Sequence, residues 1–360
     1  MRTSKRKIEH LLLCAEKDVE AERNYFDDVH LVHVALPEVD KDGIDTSVEF
    51  LGFKLSFPMM IAAMTGGHPE TKRINEALAT AAEELHVGMG VGSQRAALED
   101  PSQEDSFRIV RDAAPTTFIY ANIGVLQLKE FGVEGVEKII DMIDADAVAI
   151  HLNFLQEAIQ PEGETNARGC LLAIKEACAS LKVPVIGKET GAGMSYGTAK
   201  KLFEAGVSAI DVGGLGGTSW AAVEVYRAMQ ERDELAERLG RLLWNWGIPT
   251  PVSIVECSSL PLPIIATGGI RSGLEIAKSL ALGADVCSAA LPFVKPAMRD
   301  AEEVKKALET MAEELRVIMF LCGSSDVEGL KRAEVVVTGK TKEILEQRGF
   351  LRRIQKVREK

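Results

Sequence analysis

Eight short runs of small and β-branched residues recur along this chain, each followed by a stretch with helical periodicity. They cover 59–63, 88–92, 117–122, 146–152, 183–188, 208–213, 263–268 and 285–290. Runs of this kind, with little polar alternation, suit strands buried on both faces. Between them, Ile74, Ala77, Leu78, Ala81 and Leu85 fall on one helical face. Val136, Ile139, Ile140 and Ile143 fall on another, and Ile276, Ala277 and Leu280 on a third. Strand–helix alternation predicts a parallel sheet, and eight units predict a closed (β/α)8 TIM barrel. A doubly wound sheet is the other fold of this class, but it usually needs fewer strands.

The whole chain, 1–360, then reads as one barrel domain. Residues 1–57 form an N-terminal arm and capping strands, 58–300 the barrel, and 301–360 extra C-terminal helices. Two inserts stand out. Residues 229–247 predict a charged amphipathic helix ending in Trp244 and Trp246, an aromatic pair suited to plugging a core or meeting another subunit. Residues 301–320 predict a long helix with Val304, Leu308, Met311, Leu315 and Ile318 inward. A short strand at 335–337 follows, then a basic helix or tail.

Composition excludes several function classes. A formal net charge of −12 disfavours nucleic acid or an anionic membrane as partner. The six cysteines form no C-x-x-C pair and sit among small or apolar residues, which predicts reduced thiols and a cytoplasmic location. No signal peptide is expected, because Glu16-Lys17-Asp18 ends the short apolar run after the basic start. No run approaches bilayer-spanning length. Arg2, Lys5, Arg6 and Lys7 read either as a solvated tail or as an arm that folds over a phosphate.

In a barrel of this kind ligands bind at the C-terminal strand ends. The fourth strand ends in His151-Leu152-Asn153-Phe154-Leu155-Gln156-Glu157, placing an imidazole, two carboxamides and a carboxylate within one short stretch. Each alone could be a satisfied core group or a helix cap, but the set together points to a site. Ala62-Ala63-Met64-Thr65-Gly66-Gly67 has the small side chains that let a flat ring approach backbone. Ser93, Gln94 and Arg95 can hold an anion, and Asn122 can fix a carbonyl and a ring N–H together. Lys188 ends an apolar run, so it should meet an anionic ligand, the alternative being a salt bridge to Glu189 or Asp211. Thr218 and Ser219 can cap a helix or bind phosphate. The glycine loop Thr267-Gly268-Gly269-Ile270-Arg271 and the pair Ala289-Ala290 end strands seven and eight, where barrels commonly seat a phosphate.

With these residues in place, the chain resembles the type 2 isopentenyl-diphosphate isomerases. The likeness rests on Arg6-Lys7-x-Glu9-His10, Ala63-Met64-Thr65-Gly66-Gly67, Gly92-Ser93-Gln94-Arg95, His151-x-Asn153-x-x-Gln156-Glu157, Pro161-Glu162-Gly163 and Thr267-Gly268-Gly269-Ile270-Arg271. It departs at Phe154, where the family often has proline, and at 164–168, which lacks an aromatic residue often found there. The resemblance implies an FMN-dependent barrel that interconverts isopentenyl and dimethylallyl diphosphate, with Mg2+ and with NADPH or NADH to reduce the flavin. It implies that Arg6 and Lys7 hold the diphosphate and that Ser93, Gln94 and Arg95 meet substrate and FMN. Ala63, Met64, Thr65 and Asn122 would line the ring, with Lys188 facing it. Thr218, Gly269, Ile270, Arg271, Ala289 and Ala290 would hold ring and phosphate. Gln156 would sit over the hydrocarbon beside Asn153, and Glu157 would carry Mg2+. His151 would bind the diphosphate or support Gln156. Homotetramers or homooctamers are implied.

The implied chemistry moves one proton on and one off at carbons that are barely acidic or basic. No side chain in the set is a strong enough acid alone, which is why a flavin is needed. A flavin oxidoreductase on the same barrel is the alternative. It would need a proton-abstracting His or Cys opposite the ring, and His151 is the one histidine at a strand end. A non-catalytic flavin-binding barrel is a third reading, against which the polar set at 151–157 argues.

Overall fold

The structure is a computed structural model that describes residues 2–352, with side chains from Lys7 onward. Its barrel strands are β1 (Met59–Ile61), β2 (Gly88–Gly90), β3 (Ile119–Gly124), β4 (Ala147–Leu152), β5 (Val185–Glu189), β6 (Ala209–Asp211), β7 (Ile264–Thr267) and β8 (Val286–Ala289). Each pairs in parallel with the next, and Cys287 opposite Met59 closes the ring. All eight expected runs are strands. Most are shorter than their apolar runs, because Ala62, Ala63, Gly92, Gly213, Gly268 and Ala290 leave the ladder and turn into the loops of the mouth.

The barrel interior holds Met60, Phe118, Tyr120, Ala149, Ile186 and Ile265, and the hairpin of Val48–Phe50 and Phe53–Leu55 closes its base with Phe50 and Leu55. A glycine in a strand interior normally costs stability, but here it makes room. A Cβ on Gly90 would strike the ring of Tyr120. Gly90→Val is therefore expected to overpack the interior and cost about 1–3 kcal/mol, read from the denaturant midpoint.

The N- and C-terminal segments are tied together. Val29–Leu31 pairs antiparallel with the expected strand Val335–Val337. Helix Arg2–Glu16 lies at the mouth, where Lys7, His10, Leu11 and Cys14 line the opening and Leu13 and Ala15 are buried, so the backbone of the basic start is helical from residue 2. The side chain of Arg6 lies outside the described residues, as do residues 353–360 of the basic end.

Residues 229–247 differ from expectation. Met229–Glu231 finish the helix Trp220–Glu231, and Arg232 turns left-handed at φ 59°. Asp233 then caps a second helix, Glu234–Leu242, accepting from Ala236 N. An Asp competes with helix-interior hydrogen bonds and favours a cap, which the charge pattern alone did not register. Trp244 plugs, giving its indole N–H to Glu20 O at 2.8 Å, while Trp246 stays 64% exposed. In Ala301–Leu321, Val304, Leu308, Met311 and Leu315 are buried as expected, but Met319 takes the inward place assigned to Ile318. Among the described residues no helix is long and apolar enough to cross a membrane.

Candidate active site

One cavity opens at the C-terminal mouth of the barrel, and most of the expected residues converge on it. From β1 come Ala63 and Met64. Thr65 lies just behind them, 2% exposed, with its carbonyl accepting from Gly92 N at 2.8 Å. A Cβ at Gly92 would come 2.6 Å from that carbonyl oxygen, so only glycine lets the two loops touch. Ser93 and Arg95 face the cavity, with the Arg95 guanidinium on Glu99 at 2.6 Å and Glu164 at 3.3 Å. Gln94 does not face it. Its Nε2 donates to Ile139 O at 2.9 Å and its Oε1 accepts from Asn122 N at 3.1 Å, so this fully buried side chain ties β3 to the helix behind it. The expected ligand role for Gln94 is corrected accordingly.

The end of β4 supplies the polar set. His151 Nδ1 donates to Asn122 Oδ1 at 2.9 Å. Burial, then the charges of Lys7 and Lys188, push the imidazole down to about 3, so the ring is neutral at physiological pH. The sign follows: a His with its pKa below the unfolded 6.5 contributes stability that is intact above about pH 6.5 and lost as the pH falls through about 3. His151→Gln is expected to flatten part of that acid slope in urea midpoints measured between those limits.

Glu157 is already surrounded by donors. Its Oε1 accepts from Asn153 Nδ2 at 2.9 Å, and its Oε2 from Gln160 Nε2 and Glu164 N, each at 2.8 Å. Gln156 Nε2 donates to Glu224 Oε1 at 2.8 Å. Glu224 itself is 2% exposed and is held by Arg227 Nη1 at 2.7 Å, with His10 Nε2 at 3.6 Å. Burial alone would push this carboxyl up, but His10, Arg227 and Gln156 together hold it below the usual range. Neither Glu224 nor Arg227 emerged from the strand ends. The missed signal was a pair of opposite charges three residues apart on the face that also carries Ala221, Val225 and Ala228.

Lys188 faces the cavity as expected, but it is also paired. Its Nζ lies 2.8 Å from Asp211 Oδ2, with side chains 7% and 1% exposed. The Glu189 carboxylate is not its partner. One oxygen of Glu189 instead accepts from four successive backbone N–H groups, Thr190 to Gly193, at 2.6–3.0 Å.

Thr218, Gly269, Arg271, Ala289 and Ala290 line the far end. The Ile270 side chain is fully buried in the outer core, which leaves Ile270 only its backbone to offer. A Cβ at Gly217 would meet Gly269 N, and one at Gly268 would meet Gly214 O. The N-terminal segment lies across this end: Asn24 Nδ2 donates to Gly269 O at 2.8 Å, and Glu20 takes the Arg271 guanidinium. Thus Arg271 is braced by a carboxylate, a contact the local motif could not show.

A family model described as FMN-dependent dehydrogenase matches residues 3–111 and 165–337. Over 350 residues the chain is 61% identical to an isopentenyl-diphosphate delta-isomerase of Methanosarcina mazei, covering 97% of this chain and 96% of that one. It is 57% identical over 349 residues to the protein of that name from Archaeoglobus fulgidus, covering 97% and 100%. The chain belongs to the isopentenyl-diphosphate delta-isomerase family. The fold is shared more widely. A mandelate oxidase solved with (S)-2-phenylpropionate superposes with TM-score 0.61 at 19% identity, covering 88% of this chain and 89% of that one. A lactate oxidase of Pediococcus acidilactici gives 0.60 at 18%, covering 87% and 84%.

The family's mouth, as built here, fits a flavin nucleotide. At Gly213, Gly214, Gly217, Gly268 and Gly269 an added Cβ would come within 2.1–2.6 Å of a neighbouring atom, so these loops meet closely only as glycines. Thr267 Oγ1 is buried at the cavity without a hydrogen-bond partner among the described residues, a group a bound ligand would satisfy. Among those residues no cluster of three or more His, Cys, Asp or Glu could cage a metal ion.

Proposed function

We propose that this chain interconverts isopentenyl and dimethylallyl diphosphate through a 1,3-allylic proton shift, using reduced FMN with no net redox change. The observation that carries the reading is the joining, in one cavity, of the glycine-built cradle and the His151–Glu157 polar set. The family relationship points the same way. Reduced FMN, when bound, supplies the N5 proton and electron-rich face that these side chains lack.

The chain's own residues would do the rest. Lys7 and Arg95 sit at the mouth to gather the diphosphate, and Arg6 is proposed to join them from the helix that carries Lys7. Glu157 would carry Mg2+, which prefers one or two carboxylates together with phosphate oxygens and water. Its orientation is set by Asn153, Gln160 and the Glu164 amide. With Nδ1–H given to Asn122, the neutral His151 ring offers an acceptor at Nε2. It therefore suits a cation such as Lys7 better than a bare diphosphate oxygen. Gln156, anchored through one amide hydrogen, keeps its Oε1 and second N–H for the allylic carbons.

Glu224 acts here by holding Gln156. Glu224→Gln is expected to lower kcat about 10–100-fold with KM and FMN affinity nearly unchanged, because an amide partner no longer fixes which end of Gln156 faces the substrate. Steady-state rates and an FMN titration read this.

NADPH or NADH is proposed as the flavin reductant, and a homotetramer or homooctamer in the cytoplasm as the working form. Leu235, Leu242 and Trp246, all more than half exposed beside one another in sequence, suit a subunit contact. The function is tested by supplying FMN, NADPH, Mg2+ and isopentenyl diphosphate without oxygen and following the allylic product by NMR. Product should form, and EDTA should stop it.

A further inference from the structure

Lys188 and Asp211 stand opposite each other in register on β5 and β6, at the last rung below the mouth. Lys188 reaches the cavity, whereas Asp211 stays behind it at 1% exposure. The ammonium spends one donor on Asp211 Oδ2 at 2.8 Å and one on Glu189 O at 3.2 Å. An ammonium has three donors, so one remains for a ligand acceptor. Asp211 is itself fixed, its Oδ1 accepting from Gly213 N at 3.2 Å. The phenol of Tyr120, buried in the barrel interior, lies close enough to Asp211 to feel its charge. Burial, and then the charge of Asp211, push its pKa up, so it stays neutral and does not compete for the lysine.

We propose that Asp211 is a positioning residue that keeps Lys188 charged and aimed at the flavin ring, so that the lysine favours the reduced ring. This rests on the FMN reading above. An ammonium buried without a counter-ion loses its proton or swings to water. Either would remove the cation from the place where negative charge accumulates on reduction. A carboxylate directly in the cavity would repel that charge, but one set behind the lysine holds the cation forward while the cation screens it.

The test measures the ratio of reduced to oxidised FMN affinity, obtained from the midpoint potential of bound FMN and a titration with oxidised FMN. Asp211→Asn should lower the preference for reduced FMN at least about five-fold, with oxidised FMN binding nearly unchanged. Lys188→Met should lower it by a similar factor. In the Lys188→Met background, Asp211→Asn should lower it no further, since only an unpaired carboxylate is then removed. The proposal is overturned if Asp211→Asn leaves the preference unchanged or raises it in the otherwise native protein. It is also overturned if the substitution lowers the preference equally in both backgrounds, as a general brace would. Should Asp211→Asn fail to fold, Asp211→Glu keeps the charge but displaces the carboxylate, and a smaller loss of the same sign is expected, with no loss counting against the proposal. Failure of the flavin reading looks different: the native protein would bind neither form of FMN.

Discussion

Gln156→Leu is expected to lower kcat by about 10²–10⁴-fold, the range that a positioned proton-transferring group commands. Leucine keeps the volume of a side chain that is only 8% exposed, so the wall of the cavity should hold its shape. What disappears is the amide that Glu224 anchors at 2.8 Å. KM should change little, because the diphosphate end is proposed to be held elsewhere, at Lys7, Arg95 and Glu157. FMN affinity should also persist, since the cradle is built from loops after other strands. The cost to stability should stay modest, because Glu224 keeps Arg227 at 2.7 Å and His10 at 3.6 Å. A variant that lost rate and FMN together would instead mark Gln156 as structural.

Glu157→Gln should be nearly as damaging for a different reason. The carboxylate accepts three hydrogen bonds, from Asn153, Gln160 and the Glu164 amide. A carboxamide turns one of its two ends into a donor, which must then face a donor. It also withdraws the only charge proposed to hold Mg2+. We expect kcat/KM to fall at least about 10²-fold and the Mg2+ concentration for half-maximal rate to rise at least about ten-fold. Rates measured across a Mg2+ series separate the two effects. Restoration of full activity at high Mg2+ would mean that Glu157 only raises metal affinity and does not orient the complex.

The barrel could be read because its strands are buried on both faces and so carry an unbroken apolar signature. The His151–Glu157 segment could be read because it departs so sharply from the run before it. What escaped lies where a side chain's direction, not its identity, decides its role. Gln94 sits beside Ser93 and Arg95 in the motif, yet it points into the outer core to serve Ile139 and Asn122. Glu224 and Arg227 are charges on a buried helical face, and their meaning appears only when that helix is laid against Gln156. The brace of Glu20 on Arg271 spans the chain from the N-terminal arm to the seventh strand. The Lys188–Asp211 pair was one of two partners that the sequence allowed, and only strand register decided between Asp211 and Glu189.

The central claim is that the cavity performs an isomerisation with a flavin that is not consumed. It is tested by supplying a limiting, measured amount of NADPH to the FMN-loaded protein under anaerobic conditions, with excess isopentenyl diphosphate and Mg2+. We predict many equivalents of dimethylallyl diphosphate for each equivalent of NADPH oxidised. One equivalent of NADPH oxidised per product formed, or reduced FMN that binds but yields no allylic product, would contradict the account.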